Sequence, residues 1–372
     1  MGGRIVALDV LRGAAILGTF GMNAWLFTHP QGPAGFIADG GDQTDALLQM
    51  IGNGKFLALL SILFGIGLAI QHGSAVRRGS RWPGWYLWRS ALLLFEGLIH
   101  YVLIFEFDVL MFYAVVSVLV AYLVGRSSRV VKAWLVAAGA VHLSFVGLLT
   151  FLLVAGGAQV DDAAIPVRPA TWWGQVQERI ELFAVYRLEG FFVLPLSTVL
   201  FLAGAMLFKA GALENSDRGG LIRRRLMVWG LGVGVPLNLV TTLAGRDWFA
   251  VDRYVCAPLV AFGLLGGITA LVCRLRGEPG WLRRGVGAVG RSALSCYIGQ
   301  NLIASVLCYE WGLDLAGRFG HLGPWFTAGT WLMVSALLML GASWWMRRFT
   351  RGPVEILWDR AYRAPQRQPA SV

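Results

Sequence analysis

Residues 8–27 read LDVLRGAAILGTFGMNAWLF, and the fold follows from that stretch. No charged side chain occurs between Gly13 and Phe27, and a run of about 20 apolar residues is what crossing a hydrocarbon layer requires. Asp9 and Arg12 stand three apart before it, on one helix face, and Pro30 after His29 closes it. The stretch predicts a transmembrane helix over Val10–Phe27. Nine more such runs follow: Asp45–Ile70, Tyr86–Phe105, Asp108–Val124, Val131–Ala155, Gly190–Phe208, Leu226–Leu243, Tyr254–Cys273, Val289–Leu307 and Trp325–Met346. Only Glu106 and Phe107 separate the third from the fourth, which predicts a tight helical hairpin.

Composition points the same way. Of 372 residues, 56% are hydrophobic and 14% charged, against about 25% charged in soluble domains. A water-soluble globule has no means of hiding that much apolar surface. The predicted class is all-α: a polytopic integral membrane protein of about ten transmembrane helices, in a single domain over residues 1–358, followed by a disordered basic tail over 359–372. The outer segment 156–189 contains Trp172, Trp173 and an amphipathic Thr171–Tyr186 stretch. It is either a surface cap over a cavity or a wet loop with interfacial tryptophans. The first run lacks the flanks and cleavage site of a signal peptide, so it is expected to be retained.

A net charge of +11 would suggest nucleic acid in a soluble chain. Placing the charges changes that reading. Loops on the side of the N-terminus hold 24 of the Lys and Arg residues and the opposite loops six, which predicts that both termini are cytoplasmic. The basic excess then meets membrane lipids, and no nucleic-acid partner is expected. Cys256, Cys273, Cys296 and Cys308 form no CxxC pair and read as inert thiols; no metal-ligand spacing occurs, so no metal is expected. No phosphate-binding glycine loop of the nucleotide-binding type is present.

Ionisable side chains inside lipid are costly and usually face protein or a water-filled cavity, so those residues are the pointers to chemistry. Asp9 and Arg12 form either a helix-end ion pair or a site that offers Arg12 to a phosphate or carboxylate. Asn23, eleven residues on, falls on the face of Arg12, because eleven residues are close to three turns. His100 ends the third run with Glu106 and Asp108 within two turns. Such a His is either a structural hydrogen-bond partner of the carboxylate or a general base oriented by it. Glu96 lies deeper in the same run. Lys55 either snorkels to the surface or faces a cavity. Arg291 and Ser292 open the ninth run beside the basic side. His142, alone in an apolar run, reads as a satisfied core histidine.

Five ordered stretches resemble the YeiB-like bacterial membrane proteins (domain of unknown function 418). They are Leu8-Asp9-Val10-Leu11-Arg12-Gly13 with Asn23; Lys55-Phe56 to Leu63-Phe64-Gly65-Ile66-Gly67; Gly97-Leu98-Ile99-His100 with Asp108-Val109-Leu110 and Tyr113; Gly290-Arg291-Ser292-Ala293-Leu294 with Tyr297 and Gln300; and Gly352-Pro353-Val354-Glu355-Ile356-Leu357-Trp358. Phe107 stands where that family usually has Gly. The Asp-x-x-Arg-Gly opening also resembles the wider transmembrane acyltransferases, of the acyltransferase-three and heparan glucosaminide acetyltransferase types. In the first type a His stands where this chain has Asn23. In the second the His lies beyond the first span, and His29 is the nearest match.

The resemblance implies a bacterial cytoplasmic (inner) membrane protein that moves an acyl group from cytosolic acyl-CoA to a small-molecule or glycan acceptor at the outer face. Arg12, Asn23, Arg291 and Ser292 would hold acyl-CoA. His100 or His29, with Asp108, would act as base. Asp9, Lys55, Glu96, Tyr113, Tyr297 and Gln300 would shape the cavity. The alternative is a small-solute or lipid transporter or binding protein, in which the same buried polar residues line a substrate path.

Overall fold

The computed structural model describes residues 6–39, 41–156, 168–275 and 278–366. Among the described residues helix accounts for 82% and no strand occurs. Hydrocarbon imposes this outcome, because a helix satisfies its own backbone N–H and C=O groups. The chain runs through α1 (Val6–Thr28), the short α2 (Gly32–Asp39) and α3 (Gln43–Gly52), α4 (Lys55–Arg77), α5 (Tyr86–Leu103), α6 (Leu110–Leu123) and α7 (Ser128–Gly156). After α8 (Trp172–Glu181) and α9 (Phe183–Tyr186) come α10 (Gly190–Lys209), α11 (Asp217–Gly232) and α12 (Gly234–Leu243). A one-turn α13 (Phe249–Val251) passes through a π-helical stretch, Asp252–Cys256, into α14 (Ala257–Arg274). The chain closes with α15 (Trp281–Arg291), α16 (Ala293–Cys308), α17 (Leu315–Phe319), α18 (Pro324–Trp345) and α19 (Pro353–Arg363).

Among the described residues seven runs are long and apolar enough to cross a membrane: Val6–Thr28, Gln43–Arg77, Ser128–Gly156, Phe183–Lys209, Asp217–Leu243, Arg246–Arg274 and Pro324–Trp345. Leu110–Leu123 and Ala293–Cys308 are apolar but shorter, and α5 carries Arg89, Glu96 and His100 among its 18 residues. The protein is a polytopic helical membrane protein. α1 is the central post, packed against α4, α14, α15, α16 and α18. At the other extreme α7 keeps only Val131, His142, Val146 and Thr150 buried. Its remaining apolar surface has lipid as its solvent.

Three predicted spans are interrupted. Asp45–Ile70 breaks at Asn53-Gly54, where Gly54 adopts φ +69°. Leu226–Leu243 breaks at Val233, because Pro236 has no N–H for the Gly232 carbonyl one turn back. Val289–Leu307 breaks at Ser292, whose backbone (φ −114°, ψ 39°) is not helical. Helical order also runs past Trp358 to Arg363 and through a 3₁₀ turn to Gln366, which corrects the disordered tail expected there; residues 367–372 lie outside those described. Residues 157–167 of the predicted outer segment also lie outside them. The rest of that segment holds a helix, α8, with Gln175, Val176 and Arg179 buried, so this part packs as a cap on the bundle end.

The break at Ser292 leaves the first amides of α16 without partners, as at any helix start. Glu355 supplies the acceptors: Leu294 N and Ser295 N donate to its Oε1 at 2.8 and 3.3 Å, and Ser295 Oγ donates to Oε2. The closing stretch Gly352–Trp358 therefore caps the helix that carries Tyr297 and Gln300. Trp358 also stacks under Arg89 of α5 at 4.6 Å. Glu355→Ala is expected to lower stability by about 1–2 kcal/mol, the usual effect of removing a cap. Glu355→Gln, which keeps an acceptor, should lose less, and thermal unfolding in detergent reads the difference.

Candidate functional site

α5 shows how the site is placed. Leu93, Gly97, His100 and Tyr101 are buried, whereas Leu94, Phe95, Leu98 and Ile99 are exposed. This is the stripe of a helix with one face on the protein. Gly97 lets the start of α6 come close: a side-chain carbon there would stand 2.8 Å from Met111 N and 3.0 Å from Asp108 Oδ1. The turn after α5 can then fold Asp108 back onto His100.

Asp108 serves three helices, α5, α6 and α16. Its Oδ1 accepts from Leu110 N at 2.8 Å and Met111 N at 3.4 Å, which satisfies the first amides of α6. Its Oδ2 accepts from His100 Nδ1 at 2.7 Å and from Tyr297 OH at 3.4 Å. His100 and Asp108 are 1% and 0% exposed, so the pair is sealed from solvent.

The other ring nitrogen of His100 faces a side chain absent from the predicted site. Asn301 Nδ2 lies 3.3 Å from His100 Nε2, and Asn23 Nδ2 donates to Asn301 Oδ1 at 3.2 Å. An amide nitrogen only donates, so Nε2 accepts and the proton of a neutral His100 sits on Nδ1, toward Asp108. The Tyr297 ring packs on the imidazole, centroids 5.1 Å apart. Asn23, assigned from sequence to acyl-CoA, thus belongs to the network that ends on His100. The missed signal was Gln300-Asn301, two adjacent amides inside an apolar run.

The cap closes over this turn. Glu106, the other candidate to orient His100, pairs with Arg179 of α8 at 3.2 Å, both buried. Arg187 donates to the Asp108 carbonyl at 3.0 Å and to the Glu106 carbonyl, with its guanidinium 4.3 Å above the Tyr101 ring. Tyr101 OH donates to the Arg179 carbonyl, and Trp311 Nε1 to Gln175 Oε1 at 3.3 Å. Arg168 lies over the Tyr309 ring at 3.9 Å. Burial first, then the neighbouring Glu106 carboxylate, pushes Glu178 up from its ordinary carboxylate value.

The remaining predicted residues fall elsewhere. Arg12 is half-buried, passes Gly67 of α4 and interacts electrostatically with Asp9 and Arg89. Arg291 is the last residue of α15, which packs along α1. Ser292 donates to the Ala288 carbonyl at 2.9 Å. Lys55 is buried and its ammonium donates to the Met50 carbonyl near the end of α3, where a cation suits the helix dipole. Tyr113 OH pairs with Ser61 Oγ at 2.7 Å. His29 packs edge-on against Phe36, centroids 6.5 Å apart. His142 Nε2 donates to the Tyr254 carbonyl at 2.9 Å, within the π-helical stretch. Glu96 and Gln300 differ from all of these: among the described residues, neither carboxyl oxygen of Glu96 and neither amide atom of Gln300 has a hydrogen-bond partner.

A second buried polar cluster escaped the sequence reading, which counted Glu189, Asp252 and Arg253 among outer-face charges. Asp252 accepts from Asn53 at 2.8 Å, from Thr241 and Thr242 at 3.0 Å each, and from Asn238. Arg253 binds Asn53 at 2.8 Å and Glu189 at 3.1 Å. With four donors on one carboxylate the cluster ties α3, α12 and the π-helical stretch together, and Asn238 Oδ1 is its buried atom without a partner among the described residues. Asn238, the lone amide in Val233–Leu243, was its sequence signal. Among the described residues no group of three or more His, Cys, Asp or Glu side chains is placed to hold a metal ion.

These contacts carry an expectation of sign. Asp108→Ala strips an acceptor from His100, Tyr297 and the start of α6, and should lower stability by about 3 kcal/mol or more, at 1–3 kcal/mol for each stranded donor. Glu96→Leu removes a buried carboxyl that has no hydrogen-bond partner among the described residues, and should leave the melting temperature level or raise it.

Residues 207–364 match the family described as "Protein of unknown function (DUF418)". The chain is 26% identical over 391 residues to the uncharacterized protein YxaH of Bacillus subtilis (strain 168), covering 96% of this chain and 94% of that one. It is 29% identical over 395 residues to the uncharacterized protein YeiB of Escherichia coli (strain K12), covering 95% of each. No solved structure matches. The helical bundle and its ordered motifs thus go with a C-terminal match to the DUF418 family model and with similarity to YeiB and YxaH along nearly the whole chain.

Proposed function

We propose that this protein is a membrane-embedded acyltransferase in which His100, oriented by Asp108, is the general base. The observation that carries the reading is the 2.7 Å His100–Asp108 pair, buried and with Nε2 turned to a side-chain amide. A carboxylate on Nδ1–H fixes the tautomer and stabilises the imidazolium that forms when Nε2 takes a proton. Acceptor hydroxyl or amine replaces Asn301 at Nε2 and attacks the thioester carbonyl of acyl-CoA. The new C–O or C–N bond forms, the C–S bond breaks, and the proton passes through Nε2 to the leaving thiolate. Where no other acceptor is supplied, water takes its place and the thioester is hydrolysed. Because the pair is closed off, substrates reach it only when the cap or the helices around α16 part.

The donor enters from the basic end, where Arg12 and Arg291 suit the phosphates of CoA. The acceptor meets His100 at the cap end. In this reading the basic end faces the cytoplasm and the cap end the outside of a bacterial inner membrane, which the Lys and Arg distribution supports.

Two measurements test this. Purified protein in nanodiscs should release CoA from acetyl-CoA, and His100→Gln should lower that rate by about 10²–10⁴-fold, the usual contribution of a general base. Unchanged release in His100→Gln would remove the assignment, and solute flux without CoA release would move the protein to the transporter class. For orientation, Ala170→Cys should react with a membrane-impermeant maleimide on intact cells and Ser127→Cys only after lysis. The reverse pattern would invert the topology.

A further inference from the structure

Gln300, the residue before Asn301 on α16, has its hydrogen-bonding capacity wholly unused among the described residues. It is 0% exposed, and neither Nε2 nor Oε1 has a partner among the described residues. Tyr297, Gln300 and Asn301 are spaced three and four apart on α16 and share a face, and the two that flank Gln300 both touch His100. A buried amide without partners is destabilising at rest, whereas its neighbours Asn301 and Asn23 are both satisfied. The same helix therefore holds one amide that completes a network and one that leaves a donor and an acceptor unfilled.

The chemistry of that pair narrows the ligand. A phosphate offers only acceptors and an ammonium only donors, so neither answers a carboxamide. An uncharged chain that offers carbonyl oxygen together with N–H or O–H does. The donor expected at this site has such a chain: the pantetheine arm of CoA carries amides, the nearest of them three bonds from the thioester sulfur. With the reacting carbonyl beside His100, that amide falls within reach of the residue next to Asn301.

We propose that Gln300 is a substrate-binding group for the amide-bearing arm of the donor thioester, with Nε2 donating to an amide carbonyl and Oε1 accepting from an amide N–H or hydroxyl. This assignment rests on the acyl-transfer reading of the dyad and names how that site grips its donor.

The test compares S-acetylpantetheine with S-acetylmercaptoethanol, which lacks the amides, on nanodisc-reconstituted protein, following thiol release. Wild type should prefer S-acetylpantetheine in kcat/KM by about ten- to a hundredfold, the range for one or two hydrogen bonds to a buried group. In Gln300→Met the ratio should collapse toward one, while the melting temperature stays level or rises, because an unpartnered amide has been replaced by an apolar side chain of similar length. Wild type that releases thiol while Gln300→Met keeps the full preference overturns the Gln300 assignment alone. A fall in melting temperature like that of Asp108→Ala also overturns it, since the amide is then structural. No thiol release from any thioester by wild type overturns the acyl-transfer reading, and this assignment with it.

Discussion

Hydrogen-bond satisfaction inside hydrocarbon is the constraint on which this structure depends. Water is not available to rescue an unpaired polar group there, so each polar side chain in the bundle is either paired or a liability. Asp108 meets the constraint most completely. One oxygen closes the first turn of α6 and the other receives His100 and Tyr297, so three helices are positioned by a single carboxylate. Asp252 does the same for α3 and α12 with four donors. Glu355 does it for α16 from the C-terminal helix.

The two polar clusters differ in standing. In the Asp252 cluster the carboxylate is saturated by four donors, and Asn238 Oδ1 is left without a partner among the described residues. The His100 network is open at one point. Its chain runs Asn23 to Asn301 to His100 to Asp108 with each donor matched, yet Gln300 and Glu96 beside it stay unmatched among the described residues. Stability alone gives no reason to keep such groups in lipid, and a substrate does.

Much of the fold was legible in the sequence, because apolar run length is a direct physical signal of a lipid solvent. The breaks were not: Gly54, Val233 and Ser292 interrupt runs whose hydropathy is continuous, and only Pro236 announced its break by residue type. Of the site, His100 with Asp108 was readable because the hairpin brings near neighbours together. Asn301 and Arg179 were not, since their partners lie 201 and 73 residues away. Glu106 and Asp108 looked equivalent as partners of His100, and the cap decided between them by giving Glu106 to Arg179. Arg187 was not legible either, although it holds the turn between His100 and Asp108.

The account depends on the proton of His100 being on Nδ1. Nitrogen-15 NMR of histidine-labelled protein in nanodiscs observes this directly, with His100→Gln identifying the His100 signals among five histidines. The account requires a neutral ring protonated at Nδ1, with its hydrogen-bonded proton signal changed in Asp108→Asn and the Nε2 nitrogen unprotonated. A ring protonated at Nε2 and bare at Nδ1 would contradict it, because Nε2 would then have no lone pair with which to take a proton from an acceptor.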